Sequence, residues 1–425
     1  MNREEVEIMS PVGSYESLMA AILAGARSVY FGIDKMNMRA RSTVNFTEKD
    51  LDRIVEICNL HKVKTYLTLN IVIYNSELDR MRELVDLAKE KGITAIIASD
   101  QSVINYARSV DLEVHISTQV NVSNIESLIF YANYADVIVL ARELDIDQIK
   151  HIHSIIENTD IRGPGGKKIR LEIFIHGALC MSISGKCYLS LHEQNYSANR
   201  GACLQFCRKA FTVIEKESGI ELDIDNEYIM SPKDLCTIHF LNKILDAGVS
   251  VLKIEGRARS PEYVYTVTKC YHEAVESYFS GNYTSDKILD WTNRLSTVFN
   301  RGFWDGYYLG QRLGEWSDVY GSKATKRKIY IGKGLNYFSK IRVAEFLCEA
   351  SEIKTGDKIL ITGPSTGVIQ TTASEIRVDL EQVNSVKQGE RFSIPLEQMI
   401  RRSDKLYKII DAARDLSHNE DGGPR

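Results

Sequence analysis

At 425 residues the chain is long enough for two or three domains. A hydrophobic share of 44% against a charged share of 26% is ordinary for a globular protein, and no apolar run approaches the length needed to span a bilayer. The net charge of -4 argues against a chain built wholly to bind polyanions, although residues 321–410 hold 16 Lys+Arg against 10 Asp+Glu. The opening Met1-Asn-Arg-Glu-Glu-Val-Glu is charged and lacks the apolar core of a signal peptide, so a cytoplasmic location with no membrane partner is expected.

From Val6 to about Phe279, short apolar runs alternate with helical patterns. Glu7-Ile-Met-Ser is followed by a helix that Ser14 can cap and Gly25 can end. Ser28-Val-Tyr-Phe-Gly comes next, then a helix from Thr47, where Asp50 completes a Thr-x-x-Asp capping box. Further strands are expected at 64–72, 94–98, 113–120, 136–140, 169–175 and 250–254, with helices between them such as 76–91 and 144–157. Eight strands with seven crossovers read as a parallel α/β sheet, and eight is the number that closes a (β/α)8 TIM barrel.

Side-chain parity supports closure. Residues two apart share one face of a strand. Ile169, Leu171, Ile173 and Ile175 oppose Arg170, Glu172, Phe174 and His176. Leu252 and Ile254 oppose Lys253, Glu255 and Arg257. Val114 and Ile116 oppose His115 and Ser117. A doubly wound sheet buries both faces and reads as apolar throughout. One apolar and one polar face per strand instead describe a barrel with an unusually polar interior, open at the C-terminal ends of its strands.

Half of the eight cysteines fall between Glu172 and Arg208: Cys180, Cys187, Cys203 and Cys207, spaced C-x6-C-x15-C-x3-C, with Cys236 following. A reducing compartment disfavours structural disulfides. Structural zinc sites usually pair ligands at C-x2-C to C-x4-C, closer than the first pair here. Iron–sulfur clusters accept more varied spacings. The spacing therefore favours a metal or cluster over buried packing thiols. Residues 181–201 have no clean period and read as an insertion over the barrel mouth, in which Asn199-Arg-Gly forms a tight turn that returns Cys203 towards Cys180.

The motifs Glu172-x-Phe-x-His-Gly-Ala-Leu-Cys, Ser184-Gly-x-Cys-x-Leu-Ser, Asn199-Arg-Gly-x-Cys and Lys253-Ile-Glu-Gly-Arg resemble the signature of the collagenase-like peptidase family of unknown catalytic type. The resemblance runs from about Glu7 to about Ile410. It implies a 4Fe-4S cluster, held by Cys180, Cys187 and Cys203 with either Cys207 or Cys236 as the fourth ligand. Members of one branch hydroxylate the tRNA wobble uridine at C5 with prephenate as co-substrate, and others hydroxylate a ribosomal RNA cytidine. The expectation on this basis is an iron–sulfur-dependent tRNA hydroxylation enzyme, with tRNA and a small dicarboxylate as partners. The alternatives are a collagenase-like peptidase or ribosomal cytidine hydroxylation. No His-Glu-x-x-His or Gly-x-Ser-x-Gly motif is present.

Arg39, Arg41, Arg142 and Arg257, with Lys253, open onto the same barrel mouth and are candidates for binding a carboxylate or phosphate. A salt bridge with a neighbour such as Glu143 or Glu255 is the competing role for each. Glu172, His176 and Glu255 are candidates for proton transfer, against a purely structural pairing with Lys253 or Arg257.

Phe211–Glu215 and Glu221–Ile229 read as a hairpin before a helix starting at Ser231-Pro-Lys-Asp. Trp291, Phe299, Phe303, Trp304, Tyr307, Tyr308 and Trp316 form an aromatic cluster suited to packing or to base stacking. From about Lys328, short strands and Gly-rich turns read as a small antiparallel β-barrel. The expected domains are a barrel over 1–280 with a cysteine-rich insertion at 176–236, a connector at 281–327, the small β-barrel at 328–410, and a flexible tail at 411–425.

Overall fold

A computed structural model describes residues 1–40, 46–212, 228–311, 314–319 and 321–412. The chain divides into two compact units, one of residues 1–295 and 299–323, the other of 296–298 and the residues from 324 onward.

The first unit is built on strands β1 (Glu7–Pro11), β2 (Ser28–Phe31), β3 (Lys64–Leu69), β4 (Ala95–Ala98), β5 (Glu113–Ile116), β6 (Val137–Val139), β7 (Arg170–Ala178), β8 (Asp234–Cys236), β9 (Val251–Ile254) and β10 (Phe303–Trp304). Strands β1 to β7 pair in parallel in sequence order, β7 pairs with β9, and β9 pairs with β1. The ladder therefore closes on itself as an eight-stranded parallel barrel. Helices α1 (Tyr15–Leu23), α2 (Leu51–Leu60), α3 (Leu78–Glu90), α4 (Gln101–Ser109), α5 (Ile125–Ala132) and α6 (Ile146–Thr159) make the crossovers. Their starts follow the sequence signals. The Ser14 hydroxyl accepts from the Ser17 amide at α1, Thr47 and Asp50 form the expected capping box before α2, and Asp145 with Gln148 forms another at α6.

Two local readings need correction. The run expected to continue as strand to Val120 ends at Ile116, because Thr118–Val120 forms a 3-10 turn closed by Asn121 in the left-handed conformation. The helix expected from Ser231 is instead β8, which pairs antiparallel with His176–Ala178 of β7. That long strand outruns its barrel neighbours, and its spare backbone groups recruit a partner. Helix α7 (Leu189–Gln194) lies in the insertion, and α8 (Leu241–Asp246) follows β8. The hairpin proposed around 211–229 falls largely on residues 213–227, outside the described residues, as does most of the proposed tail.

Helices α9 (Pro261–Phe279) and α10 (Ser285–Ser296) follow the barrel. Proline at the first position of α9 lacks only an amide that would have no partner there. Among the aromatics after it, Trp291 and Trp304 are buried, and the Tyr308 hydroxyl donates to the Phe174 carbonyl at 2.8 Å, so these rings pack against the barrel.

Inside the barrel, Met9, Tyr30, Tyr66, Ala95, Ile97, Val137 and Val251 form one apolar layer. Below it, Glu7 is 3% exposed and accepts from Lys64 at 2.9 Å, Arg170 at 3.0 Å and the Tyr66 hydroxyl at 2.5 Å. Burial pushes its carboxyl up, but Arg170, Lys64 and Tyr66 together outweigh burial and bring it from the usual 4.5 to about 2. A depressed folded value means stabilisation that is fully present above the unfolded value, about 4.5, and lost as pH falls towards about 2. Glu7→Gln should therefore cost on the order of 3 kcal/mol at neutral pH and progressively less across that window. Urea titrations at several pH values would show this; a cost that did not shrink in acid would contradict the assignment.

The second unit is antiparallel. Its strands are β11 (Lys326–Phe338), β12 (Val343–Cys348), β13 (Ile353–Lys354), β14 (Lys358–Gly363), β15 (Gly367–Thr372), β16 (Arg377–Val378), β17 (Glu381–Gln382), β18 (Ser385–Val386), β19 (Arg391–Pro395) and β20 (Lys405–Asp411). Eight of them form one sheet in the order β15-β14-β20-β11-β12-β19-β16-β17, and β13 pairs with β18. Both sheets share a core that includes Ile331, Phe346, Ile353, Ile361, Val386, Phe392 and Leu406.

Candidate active site at the barrel mouth

The C-terminal ends of the barrel strands and the insertion after β7 enclose a chamber of about 250 Å³. Its floor is made by the strands themselves. Lys253 on β9 donates to Glu172 Oε1 on β7 at 2.6 Å, and both side chains are almost fully buried. The ammonium also lies 4.9 Å from the Tyr30 ring centroid and 5.4 Å from that of Phe174. Burial raises the Glu172 carboxyl, but the Lys253 charge and His115 bring the net shift down. Glu172 stands behind the chamber wall, whereas Lys253 lines it.

Guanidinium groups make up much of the wall. Arg39 donates to Glu255 Oε1 through Nε at 3.1 Å and Nη2 at 2.5 Å. Burial raises the Glu255 carboxyl, and Arg39 more than reverses that, so it stays ionised. Arg257 donates to Thr68 Oγ1 at 2.7 Å and to Asn37 Oδ1 at 2.5 Å. It can lie this close to β2 because residue 32 is glycine; a Cβ there would stand 2.6 Å from Arg257 Nη1. Arg142 stacks 3.9 Å from the Phe174 ring centroid and donates to the Ala178 carbonyl at 3.2 Å. The Nε atoms of Arg142 and Arg257 are buried without a hydrogen-bond partner. Arg41 lies outside the described residues.

Cys180, Cys187, Cys203 and Cys207 all line this chamber. The insertion that carries them is pinned at several points. Arg200 makes two 2.6 Å bonds to the Glu77 carboxylate and stacks on Tyr74 at 4.1 Å. Gly201 takes φ +78°, and a Cβ on it would stand 2.3 Å from the Asn37 carbonyl oxygen. The Asn199-Arg-Gly turn thus presses the insertion onto the loop after β2 and carries Cys203 to the wall that holds Cys180. Arg208 fastens the insertion to both flanking segments, donating to Leu179 O at 2.6 Å and Pro232 O at 2.6 Å.

Cys236 is placed elsewhere. It is buried on β8 beneath the Tyr271 hydroxyl, 4.0 Å away, and burial pushes its thiol up to about 12. It does not line the chamber. Of the two candidates for a fourth ligand, Cys207 is the one grouped with Cys180, Cys187 and Cys203. Burial raises the Cys207 thiol, Arg208 opposes that, and the other three thiols each act on it. Among the described residues, no three of these side chains could close on a single metal ion. Four thiols around one cavity are the ligand set that a 4Fe-4S cluster takes.

His176 also stands apart. The β7–β9 register shifts between Phe174 and His176, and this irregularity reverses the parity read from the sequence. The imidazole packs among Tyr263, Tyr271 and Phe303. Burial drives it down to about 3, so it is a neutral core histidine at neutral pH.

Sequence reasoning missed three arginines. Arg208, Arg259 and Arg301 line the thiol end of the chamber. Arg301 pairs with the buried Asp234 at 3.3 Å, and Arg259 stacks on Phe299 at 3.5 Å. Asn300-Arg301-Gly302 repeats the Asn199-Arg-Gly motif, and that repetition was the available signal.

The pattern described as Peptidase family U32 matches residues 13–318. A protein of Porphyromonas gingivalis named Collagenase is 60% identical over 96% of this chain and 99% of its own length. A second Collagenase of that organism is 54% identical over 85% of this chain and 99% of its own. A Bacillus subtilis relative named tRNA hydroxylation protein P1 is 29% identical over 95% of this chain and 94% of its own. These identities overturn the expected assignment to wobble-uridine hydroxylation, because the relatives at 60% and 54% identity, matched over 99% of their own lengths, are named Collagenase and the tRNA relative is far more distant. No helix among the described residues is long and apolar enough to cross a membrane.

Proposed function

We propose, since the chain belongs to Peptidase family U32 and is therefore an enzyme of that family, that it is a collagenase-like peptidase working at the barrel mouth. The observation that carries this reading is the 60% identity, over almost all of both chains, with a protein named Collagenase. The chamber chemistry is compatible. Attack on a peptide carbonyl builds negative charge on its oxygen, and preorganised buried donors stabilise that charge. Lys253, Arg142 and Arg257 line the chamber and are such donors. Glu255, held ionised by Arg39, orients that guanidinium across the chamber.

In this proposal Cys180, Cys187, Cys203 and Cys207 hold a 4Fe-4S cluster, with Arg208, Arg259 and Arg301 offsetting its thiolate charge. Bound there with all four irons held by thiolates, a cluster would supply an electron reservoir at the chamber wall.

Anaerobically purified protein is expected to cut heat-denatured collagen into fragments that mass spectrometry can map. Lys253→Met and Arg257→Gln should each lower kcat/KM by about a hundredfold. Denatured collagen left intact by the anaerobic protein would overturn the reading. So would cleavage that both variants retain in full, which would mark a contaminating protease.

A further inference from the structure

We propose that His115, Glu172 and Lys253 form a proton relay beneath the chamber, with Glu113 at the N-terminal face of the barrel holding the His115 ring in its charged form. Glu113 begins β5 and lines a depression formed by the segments that lead into β4, β5, β6 and β7. Its carboxylate is 40% exposed there, whereas His115, two residues on, is fully buried. His115 Nε2 lies 3.2 Å from Glu113 Oε1, and Nδ1 lies 3.5 Å from Glu172 Oε2. The other Glu172 oxygen accepts from Lys253 at 2.6 Å, and Lys253 lines the chamber. Four side chains from three strands thus make one continuous row.

The geometry at His115 favours a proton on both nitrogens. A neutral imidazole has one N–H. If it donates to Glu113, the Nδ1 lone pair faces a carboxylate oxygen of Glu172, and two buried acceptors oppose each other. Both atoms are indeed without a hydrogen-bond partner at this separation, which is costly in a dry interior. An imidazolium donates in both directions, and a small ring movement closes the longer gap. The surrounding charges do not forbid it. The Tyr66 ring from β3 lies 4.4 Å away, with its hydroxyl on Glu7 of β1. Lys64 and Arg170 offset Glu7, and Lys253 of β9 offsets Glu172. Burial lowers the His115 imidazole, but Glu113 and Glu172 reverse that and leave it raised.

Transfer along the row balances. Glu172 takes the Nδ1 proton of the imidazolium while the Nε2 proton stays hydrogen-bonded to Glu113, and the neutral ring regains a proton at Nδ1 by the same path when the chamber base gives one back. Lys253 gives a proton to a base in the chamber and is recharged from Glu172. One proton leaves for the chamber base, one returns from it, and no electrons move. That the receiving base is the leaving amine of a cut peptide rests on the peptidase reading above. The relay itself does not. His115 touches no substrate and acts through Glu172, so it is a positioning residue.

The test is NMR of protein labelled in its histidine rings. The His115 signals are assigned by their loss in His115→Gln or, if that variant does not fold, by contacts to the Tyr66 ring. Both nitrogens should be protonated at neutral pH. Glu113→Gln, a conservative change at a half-exposed site, should lower the proton affinity of His115 about tenfold. In denatured-collagen cleavage the same variant should lower kcat with KM unchanged and shift the pH profile. A His115 that stays neutral in a single tautomer across about pH 5 to 8 would overturn the relay, and so would a titration that Glu113→Gln leaves unmoved. Because the NMR needs no substrate, a protein that cut no peptide would sink the peptidase reading and leave the relay to be judged separately.

Discussion

Replacing Glu172 by alanine should destabilise the barrel by about 3–5 kcal/mol, because it strands a buried ammonium. Glu172 is 0% exposed and Lys253 5% exposed, and the Glu172 carboxylate lies between Lys253 and His115. Its removal leaves Lys253 without its anion and opens a space the size of four heavy atoms beneath the chamber. Small domains have about 5–15 kcal/mol of total stability, so this loss is a large fraction. Charge and volume can be separated. Glu172→Met with Lys253→Met removes both ions, keeps similar bulk, and should recover most of the stability while activity stays lost. Buried ion pairs are often no better than apolar residues of equal size, although breaking one is expensive. Urea unfolding of the two single variants and the double variant makes the double-mutant cycle. Additive costs would show that the pair is not coupled as the 2.6 Å contact implies.

That pair also shows how far the sequence could be read. Alternation alone placed Glu172, Lys253 and His115 on the polar faces of their strands, and the closed barrel turns those faces inward, so the three side chains meet. The same rule failed four residues along β7. It assumes that every residue advances the pleat by one step, and the register shift before His176 adds a step that no local pattern reveals. His176 therefore turns towards Tyr271 of α9, away from the chamber. Strand β8 was missed for a related reason. Asp234-Leu-Cys is too short to show a period, and it is a strand because β7 extends beyond the barrel and offers it one edge while β10 takes the other. The three arginines at the thiol end come from distant segments, and only tertiary structure brings them together. The choice of reaction was the least legible. The motifs fixed the family, but relatives with different names match almost the whole chain, and the decision came from the level of identity.

The thiols should divide cleanly between those that hold iron and the one that does not. Anaerobic wild-type protein is expected to be brown, with about four iron atoms per chain. Alanine at Cys180, Cys187, Cys203 or Cys207 should abolish stoichiometric iron, because each removes one of four thiolates lining the same chamber. Cys236→Ala should keep the iron. Its thiol is buried under Tyr271 with the proton held firmly, and a proton-bound thiol outside the chamber is a packing group, not a ligand. The cost of that substitution should be stability alone, about 1–2 kcal/mol for a small cavity. Iron and sulfide assays, read beside thermal melts, distinguish the two kinds of loss. The local charge argues the same way. Cluster thiolates bring negative charge to the chamber wall, and Arg208, Arg259 and Arg301 already stand there with the Asp234 carboxylate paired to Arg301. Iron retained by Cys207→Ala and lost by Cys236→Ala would reverse the ligand assignment, and stoichiometric zinc without iron in the anaerobic protein would end the case for a cluster.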